Sequence, residues 1–412
     1  MKARISVVTA GHVSTCPRML KAADALHAAG YRVRVVSANH TAWAQAADRD
    51  VMRTRGWNWT VVDYARDTAA VARITTGARF KAANAVAAGV GVERVPAALA
   101  SRAFSRAHDE LVQAVSSEAA DFIYGGTTGA LAAVAESAAA LGVPYGIDFE
   151  DFHSGEHDVT SGVREHALAA RIERDVIAGA RVVTASSPMI SSAYASKYGV
   201  APVTIHNTFS MIPSAGATPA AGPLRLYWFS QTIGAGRGLE DVIRAAGQLD
   251  AGVELHLRGR ATAESVTALR TLQKDAAPAL TLVVHEPAAP DEMVKLARGY
   301  DAGLSCEDPA VLNHRLCLGN KIFTFLAAGM PVVLSRTPAQ AALASELGDA
   351  ALTYDSGDAA ALASQLRRLA DPEWRRVSRA AARAAAERRW HWEHPLDRGA
   401  LLDQIAAAVS RP

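Results

Sequence analysis

The sequence predicts an α/β protein built from two doubly wound parallel sheets. Three observations carry this expectation. Short β-branched runs alternate with Ala-rich stretches of helical spacing. The runs are continuously apolar rather than alternating, as expected of strands covered on both faces. The alternation then stops at a segment containing Pro213, Pro219 and Pro223, and restarts after it. A chain of 412 residues is long enough for two such domains.

Taken in order, strands are expected at 4–9, 32–37, 60–63, 121–124, 144–148, 181–185 and 203–205. Helices are expected at 17–29, 129–141 and 188–198, the last opened by Pro188 behind the cap candidate Ser187. The second series places strands at 224–229, 253–257, 280–284, 302–305, 331–334 and 350–354. From about Pro372 the chain reads as an Arg-rich helical tail, whose Trp390-His391-Trp392 cluster suits packing better than chemistry. The expected division is an N-terminal Rossmann-like domain over 1–207, a linker over 208–223 and a C-terminal Rossmann-like domain over 224–390. A helical tail over 391–412 is expected to return to the first domain.

Composition narrows the function. Half the residues are apolar and 20% are charged, which excludes wholesale disorder. Lys plus Arg is 43 against 41 Asp plus Glu, so a global basic footprint for nucleic acid is absent. Three cysteines without CxxC spacing argue against a disulfide scaffold or a four-ligand zinc site; they read as buried thiols in a reducing cytoplasm. The expectation is a cytoplasmic protein without a signal peptide or membrane span.

Ligands of doubly wound sheets sit outside the carboxyl ends of the strands, so residues just after strands, in the cleft between two such domains, are the candidates. Four junctions stand out. Thr9 to Arg18 joins the first strand to the first helix; Gly11 permits close backbone approach, His12 is polar, and Arg18 can hold a carboxylate or phosphate. Gly146 to His157 gathers Asp148, Glu150, Asp151, His153, Glu156 and His157 after a strand, a composition suited to sugar hydroxyls or proton transfer. Phe229 to Glu240 follows the first strand of the second half. Its glycines can cradle a diphosphate, with Arg237 adding charge-assisted bonds. No Gly-Lys-Ser/Thr follows, which disfavours ordinary nucleotide hydrolysis. Asn320 and Lys321 open an apolar helix and can face a phosphate or ribose, or act only as a cap.

These junctions together resemble the retaining nucleotide-sugar glycosyltransferases of the GT-B fold, the large fourth family (glycosyl transferases group 1-like). The resemblance covers nearly the whole chain. It rests on Pro17-Arg18, Gly30-Tyr31-Arg32-Val33, Thr184-Ala185-Ser186, Tyr198-Gly199 and Ile205-His206-Asn207 in the first half. In the second half it rests on Arg237-Gly238-Leu239, Leu257-Arg258-Gly259, Tyr300-Asp301-Ala302-Gly303-Leu304 and Asn320-Lys321 followed by Ala328-Gly329-Met330-Pro331-Val332-Val333.

The resemblance implies an interdomain cleft, a C-terminal helix and a donor site in the second domain made by Gly234, Arg237, Gln231, Arg258, Asn320, Lys321 and Thr324. Arg237 matches the basic residue of the pair that holds the donor diphosphate, while Gln231 stands where a second basic residue is usual. Leu316 and Thr324 stand where the family carries two glutamates, and Thr324 is left to meet a ribose through its hydroxyl. Glu307 lies nearby at a different spacing. The family's Asp-x-His pattern aligns with Asp148-Phe149-Glu150, with His153 as the available histidine. Glu150, Asp151 and His153 are the catalytic candidates, and Gly11, His12 and Arg18 the acceptor- or sugar-binding ones. No metal or other cofactor is expected.

The implied reaction moves a hexosyl-like group from a nucleoside-diphosphate sugar to a carbohydrate, lipid-linked or other hydroxyl acceptor, in polysaccharide, glycolipid or glycoconjugate synthesis. A catalytically silent binding homologue, favoured by Leu316 and Thr324, and a nucleotide-sugar epimerase or hydrolase remain open. One regional signal concerns the acceptor side. Between Arg66 and Arg106 seven basic residues face two acids, Asp67 and Glu93. A peripheral contact with an anionic inner membrane face, the grip of an anionic or lipid-phosphate acceptor and a merely solvated helix face all fit.

Overall fold

The computed structural model describes residues 2–156, 162–213, 222–234 and 236–410. His157, Ala235 and the linker residues 214–221 lie outside the described residues. The chain divides into two compact units: Met1–His206 with Pro395–Pro412, and Asn207–His394.

In the first unit, β1 (Arg4–Thr9), β2 (Arg32–Asn39), β3 (Asn58–Asp63), β4 (Phe122–Gly126), β5 (Tyr145–Phe149), β6 (Val182–Ala185) and β7 (Val203–Thr204) form one sheet. The order is β3-β2-β1-β4-β5-β6-β7 and the pairs are parallel. Chain order reverses between β1 and β4, the switch point at which loops on either side diverge. Both faces are covered, so Val7, Val8, Val35, Val36, Ile123 and Ile147 are all fully buried. That explains why these strands read as unbroken apolar runs.

The helix Pro17–Ala28 starts on its proline, and Pro188–Tyr198 is capped by the Ser187 side chain, which accepts from Ile190 N at 3.1 Å. Gly199 ends that second helix at φ 73, a left-handed turn that residues with a Cβ resist.

In the second unit, β8 (Leu224–Ile233), β9 (Val253–Ala261), β10 (Thr281–His285), β11 (Ala302–Ser305), β12 (Val332–Ser335) and β13 (Ala351–Tyr354) form a parallel sheet ordered β10-β9-β8-β11-β12-β13. The reversal between β8 and β11 repeats the logic of the first sheet. Leu226, Trp228, Leu255, Leu257, Leu304 and Val333 form its buried centre.

One sequence expectation changes here. β8 runs to Ile233 instead of stopping at Phe229, because after an irregularity the pairing with β9 resumes at Thr232↔Arg260 and Ile233↔Ala261. The helical tail is also interrupted. Pro372–Arg388 ends, Trp390 and Trp392 turn inward, and helix resumes at Ala400–Ser410. Trp390 lies against Phe323, with ring centres 5.5 Å apart, and Trp392 N donates to Phe209 O at 3.1 Å, so both tryptophans belong to the second unit. Only from Pro395 does the chain rejoin the first unit, where Arg181 Nη1 donates to Ala408 O at 3.1 Å.

Candidate functional site

In the first unit the polar centre gathers at the carboxyl ends of β1, β4 and β5. Just past β4, Thr127 holds a positive φ of 74. For a β-branched residue this is strained backbone, costing on the order of 1–3 kcal/mol. It is held there by Ala10 N, which donates to Thr127 Oγ1 at 3.1 Å. The next residue, Thr128, places Oγ1 2.9 Å from His153 Nδ1. This threonine pair was not singled out in the sequence; its signal is a Gly-Gly-Thr-Thr-Gly run after a strand at the switch point.

His153 is 2% exposed and sits in a short turn, His153–Gly155, after β5. Its Nδ1 lies 2.5 Å from Glu156 Oε1. Burial works against its charge, but the hydrogen bond and charge of Glu156 prevail and push the imidazole up to about 9. His153 is therefore an imidazolium at neutral pH, and its buried Nε2 has no hydrogen-bond partner among the described residues. The turn is fixed from beneath by Glu173, which is fully buried. This carboxylate accepts from Ser154 N at 2.8 Å, Tyr194 OH at 2.8 Å, Tyr198 OH at 2.7 Å and Lys197 Nζ at 3.2 Å.

Arg18 does not present its guanidinium to solvent as an anion holder. It is 6% exposed and forks onto Asp148, with Nε to Oδ2 at 2.7 Å and Nη2 to Oδ1 at 2.5 Å, while Nη1 donates to Ile205 O at 2.8 Å. Thr184 Oγ1 adds a 2.6 Å bond to the same carboxylate. His12 is likewise engaged. Its Nδ1 lies 2.7 Å from Asp48 Oδ2, and its Nε2 accepts from His40 N at 3.3 Å and Thr41 N at 3.2 Å. It clamps the loop carrying Gly11 to the turn after β2, so its ring nitrogens are committed within the fold.

Beside this ion pair sit two groups that titrate near neutrality. Burial, then the like charge of Asp151, pushes the Glu150 carboxyl up to about 7, against the pull of Arg18. Burial, then the like charge of Arg18, pulls the Lys21 amine down to about 7. Lys21 was missed in the sequence; its signal is the i,i+3 spacing from Arg18 on a helix face otherwise filled by apolar residues. A carboxyl and an amine poised there suit proton transfer at pH 7. Asp151 lies in the same loop, and its carbonyl accepts from Tyr194 OH at 3.3 Å.

In the second unit the glycine loop leaves β8 through Gly234 and reaches Gly236 at φ 72 and Gly238 at φ 69. A Cβ on Gly238 would lie 2.5 Å from Cys306 Cβ, so glycine alone lets this loop close against the end of β11. Between these glycines Arg237 is half-buried and has no hydrogen-bond or ion-pair partner among the described residues. Directly after Cys306, the Glu307 carboxylate meets Lys321 Nζ at 3.1 Å, with side chains 11% and 13% exposed. Lys321 also lies 5.8 Å over the buried Trp228 ring. The helix Asn320–Ala327 has no side-chain cap, which leaves N–H groups of its first turn available to an anion.

Arg258 is drawn aside instead: Nε donates to Tyr227 OH at 2.8 Å and Nη1 to Glu286 O at 2.7 Å. Gln231 stands in β8, exposed, not in the glycine loop.

Residues 240–398 match the model of a family described as glycosyl transferase-like. Over nearly its whole length the chain also superposes on solved structures. Anabaena HepE in complex with UDP and glucose matches with a TM-score of 0.69 at 17% identity, over 99% of each chain. A glycosyltransferase from Rickettsia africae gives 0.67 at 10% identity, over 100% of each. Sucrose-phosphate synthase from Thermosynechococcus elongatus gives 0.64 at 15%, over 99% of this chain and 100% of that one. Among curated proteins none matches the sequence.

The chain has the GT-B fold. Its solved relatives share the fold at low identity, so the site rests on its own geometry.

Within this GT-B frame, the expectation for Thr324 does not hold. Thr324 is 1% exposed, and its hydroxyl donates back to Asn320 O at 2.9 Å, the usual bond of a helical threonine. It offers no hydroxyl proton to a ribose. Burial pushes the thiols of Cys16 and Cys306 up to about 12, away from the thiolate form. Among the described residues no three His, Cys, Asp or Glu side chains converge to hold a metal ion.

Proposed function

We propose that this chain transfers a glycosyl group from a nucleoside-diphosphate sugar to a hydroxyl acceptor, with retention at the anomeric carbon. One observation carries the reading. Arg237 is a guanidinium without a partner among the described residues, in a glycine loop pinned to the end of β11, where the Glu307–Lys321 pair and a helix start without a side-chain cap also lie. As the diphosphate leaves, negative charge grows on its oxygens. Arg237, Lys321 and the N–H groups of the loop and helix start stabilise that charge, and Glu307 holds Lys321 in place. The first unit, taken by itself, carries groups whose chemistry suits a sugar or acceptor hydroxyl. His153 offers a charged N–H to a hydroxyl oxygen, and Glu150 exchanges a proton near neutrality. The complexes of HepE with UDP and with UDP-glucose support a uridine donor as the first to try.

Thermal shift with UDP, GDP, TDP, ADP and CDP, with and without attached sugars, tests the donor site. At 100 times its dissociation constant a ligand adds about 2.7 kcal/mol of stability. A shift with one nucleotide that vanishes in Arg237→Ala supports the site; no shift with any removes it. The stereochemistry of the product, read by proton NMR, tests retention.

Leu316 and the inward-turned Thr324 favour a second reading, a binding homologue without turnover. A nucleotide shift with no sugar transferred across an acceptor screen would select it. Sugar released or rearranged without any acceptor would point to hydrolase or epimerase chemistry instead.

A further inference from the structure

The helix Ala70–Val90 contains no Asp or Glu in its 21 residues, and it shows an unusual face to solvent. Its inner side is small: Ala83 and Ala87 pack with Val95, Ala100, Ala103 and Leu168. Its outer side is apolar as well. Val71 is 76% exposed, Ile74 71%, Val90 49% and Val86 40%. Exposed Thr75, Ala78, Ala82, Ala85 and Gly89 fill the intervals, so positions 71, 74, 75, 78, 82, 85, 86, 89 and 90 form one continuous stripe. At 1.5 Å per residue it runs for about 30 Å. Of the ten large hydrophobic side chains exposed among the described residues, four lie on this helix, including the two most exposed. Clustering of this kind marks a surface that meets something apolar.

Charge identifies the occupant. Much of the basic excess read in the sequence is engaged within the fold: Arg79 pairs with Glu110 at 2.5 Å, Arg102 pairs with Asp109 at 2.9 Å, and Arg106 donates inward to Thr76 and the Arg73 carbonyl. Of the two acids there, Glu93 is held by Arg174 at 3.1 Å, and Asp67 is exposed beside Arg66, before the helix begins. The exposed cations without a partner among the described residues are Arg66, Lys81 and Arg94; Lys81 borders the apolar stripe and the other two lie beyond its ends. An apolar stripe that contains no carboxylate, with Lys81 at its border and Arg66 and Arg94 beyond its ends, all three without a partner among the described residues, complements an anionic lipid interface. It does not complement itself. Two copies pairing symmetrically through this face would bring the cations of one against those of the other.

We propose that the helix Ala70–Val90 docks this protein on anionic phospholipid bilayers. Val71, Ile74, Val86 and Val90 enter the boundary between headgroups and acyl chains, and Lys81, Arg66 and Arg94 meet lipid phosphates. No described helix is long and apolar enough to cross a membrane, so the contact is peripheral. The proposal is independent of the donor site and stands or falls without glycosyl transfer.

The test is flotation of the full chain with vesicles of equal phosphatidylcholine and phosphatidylglycerol, against vesicles of phosphatidylcholine alone. The expected result is co-flotation with the anionic vesicles that falls with added salt, and about tenfold weaker binding to the neutral ones. The pair Val71→Asp and Ile74→Asp lowers vesicle binding about tenfold or more, and Lys81→Glu lowers it several-fold. All three positions are exposed, so the melting temperature stays unchanged. An Ile74→Trp variant whose emission shifts to the blue on anionic vesicles places the helix itself in the interface. Absence of co-flotation, or equal flotation of the Val71→Asp, Ile74→Asp variant, overturns the proposal. A dimer seen by light scattering and abolished by Ile74→Asp overturns it in favour of a second copy.

Discussion

The two units repeat one architecture but differ in one charge at their strand ends. At the carboxyl ends of the first sheet, charges answer one another: Arg18 is forked onto Asp148, His153 is held by Glu156, and Glu173 is ringed by four donors. At the matching ends of the second sheet Arg237 stands unanswered among the described residues, beside a helix start without a cap. A charge satisfied inside the fold contributes to stability and shape. One left unsatisfied at a loop is available to a ligand. The difference teaches that a prominent Arg at a strand-to-helix junction identifies a site only when its partners are known.

The largest effect expected is on folding in the first unit. Asp148→Ala leaves the Arg18 charge buried and unpaired, and costs about 3–5 kcal/mol in urea or thermal unfolding. Replacing both residues together, Arg18→Met with Asp148→Leu, recovers much of that loss, because neither charge is then stranded. A loss below about 1 kcal/mol for Asp148→Ala would erase the contrast between the units.

Next comes Arg237→Ala, with the opposite signature. Turnover falls about 10²–10³ while unfolding stability stays within about 0.5 kcal/mol. Equal turnover in wild type and variant would remove Arg237 from the donor site.

The third prediction sharpens the electrostatics of His153. Its folded-state value is raised from 6.5 to about 9. The stabilisation from its charge is therefore full below about pH 6.5 and is lost as pH rises through about 9. Lys21, lowered from 10.5 to about 7, works the other way: the unfolded chain holds its proton more tightly, so its contribution improves as pH rises from 7 to 10.5. The difference in melting temperature between wild type and His153→Asn isolates the histidine. That gap should be widest near pH 6 and narrow toward pH 9; a gap that widens with pH would reverse the assigned sign.

The smallest effect is at Thr324. Thr324→Val removes only a bond to the helix's own backbone, and costs under about 1 kcal/mol with unchanged turnover. A tenfold drop in kcat/KM would restore it to the ligand site.

Most of the fold was legible. β1 and β11 were bounded to the residue, because apolar runs between Gly, Pro and charged positions are local signals. The bulged continuation of β8 was not, since a strand extends past its apolar run only if a neighbour, here β9, extends with it. The site was legible in part. The acidic loop and the glycine loop were found as junctions, but a sequence does not say which carboxylate an arginine meets. Arg18 and Asp148 are 130 positions apart. The positive φ of Thr127 was hidden because threonine gives no local warning of that conformation. The inward turn of Thr324 follows from its place on a buried helix face, and helical spacing alone could have told it.

One buried hydrogen bond has a bearing on how the molecule is made. His206 N donates to Asp397 Oδ1 at 2.8 Å, across 191 positions of chain. The first unit is thus built from two segments that flank the second unit in sequence, so the whole second unit is translated between them. During vectorial synthesis its sheet must wait, lacking the helix Ala400–Ser410, while the intervening unit folds. A ribosome-released fragment ending at His206 would hold every strand of the first sheet yet expose the face that this helix covers, and would be the natural substrate for chaperones and proteases.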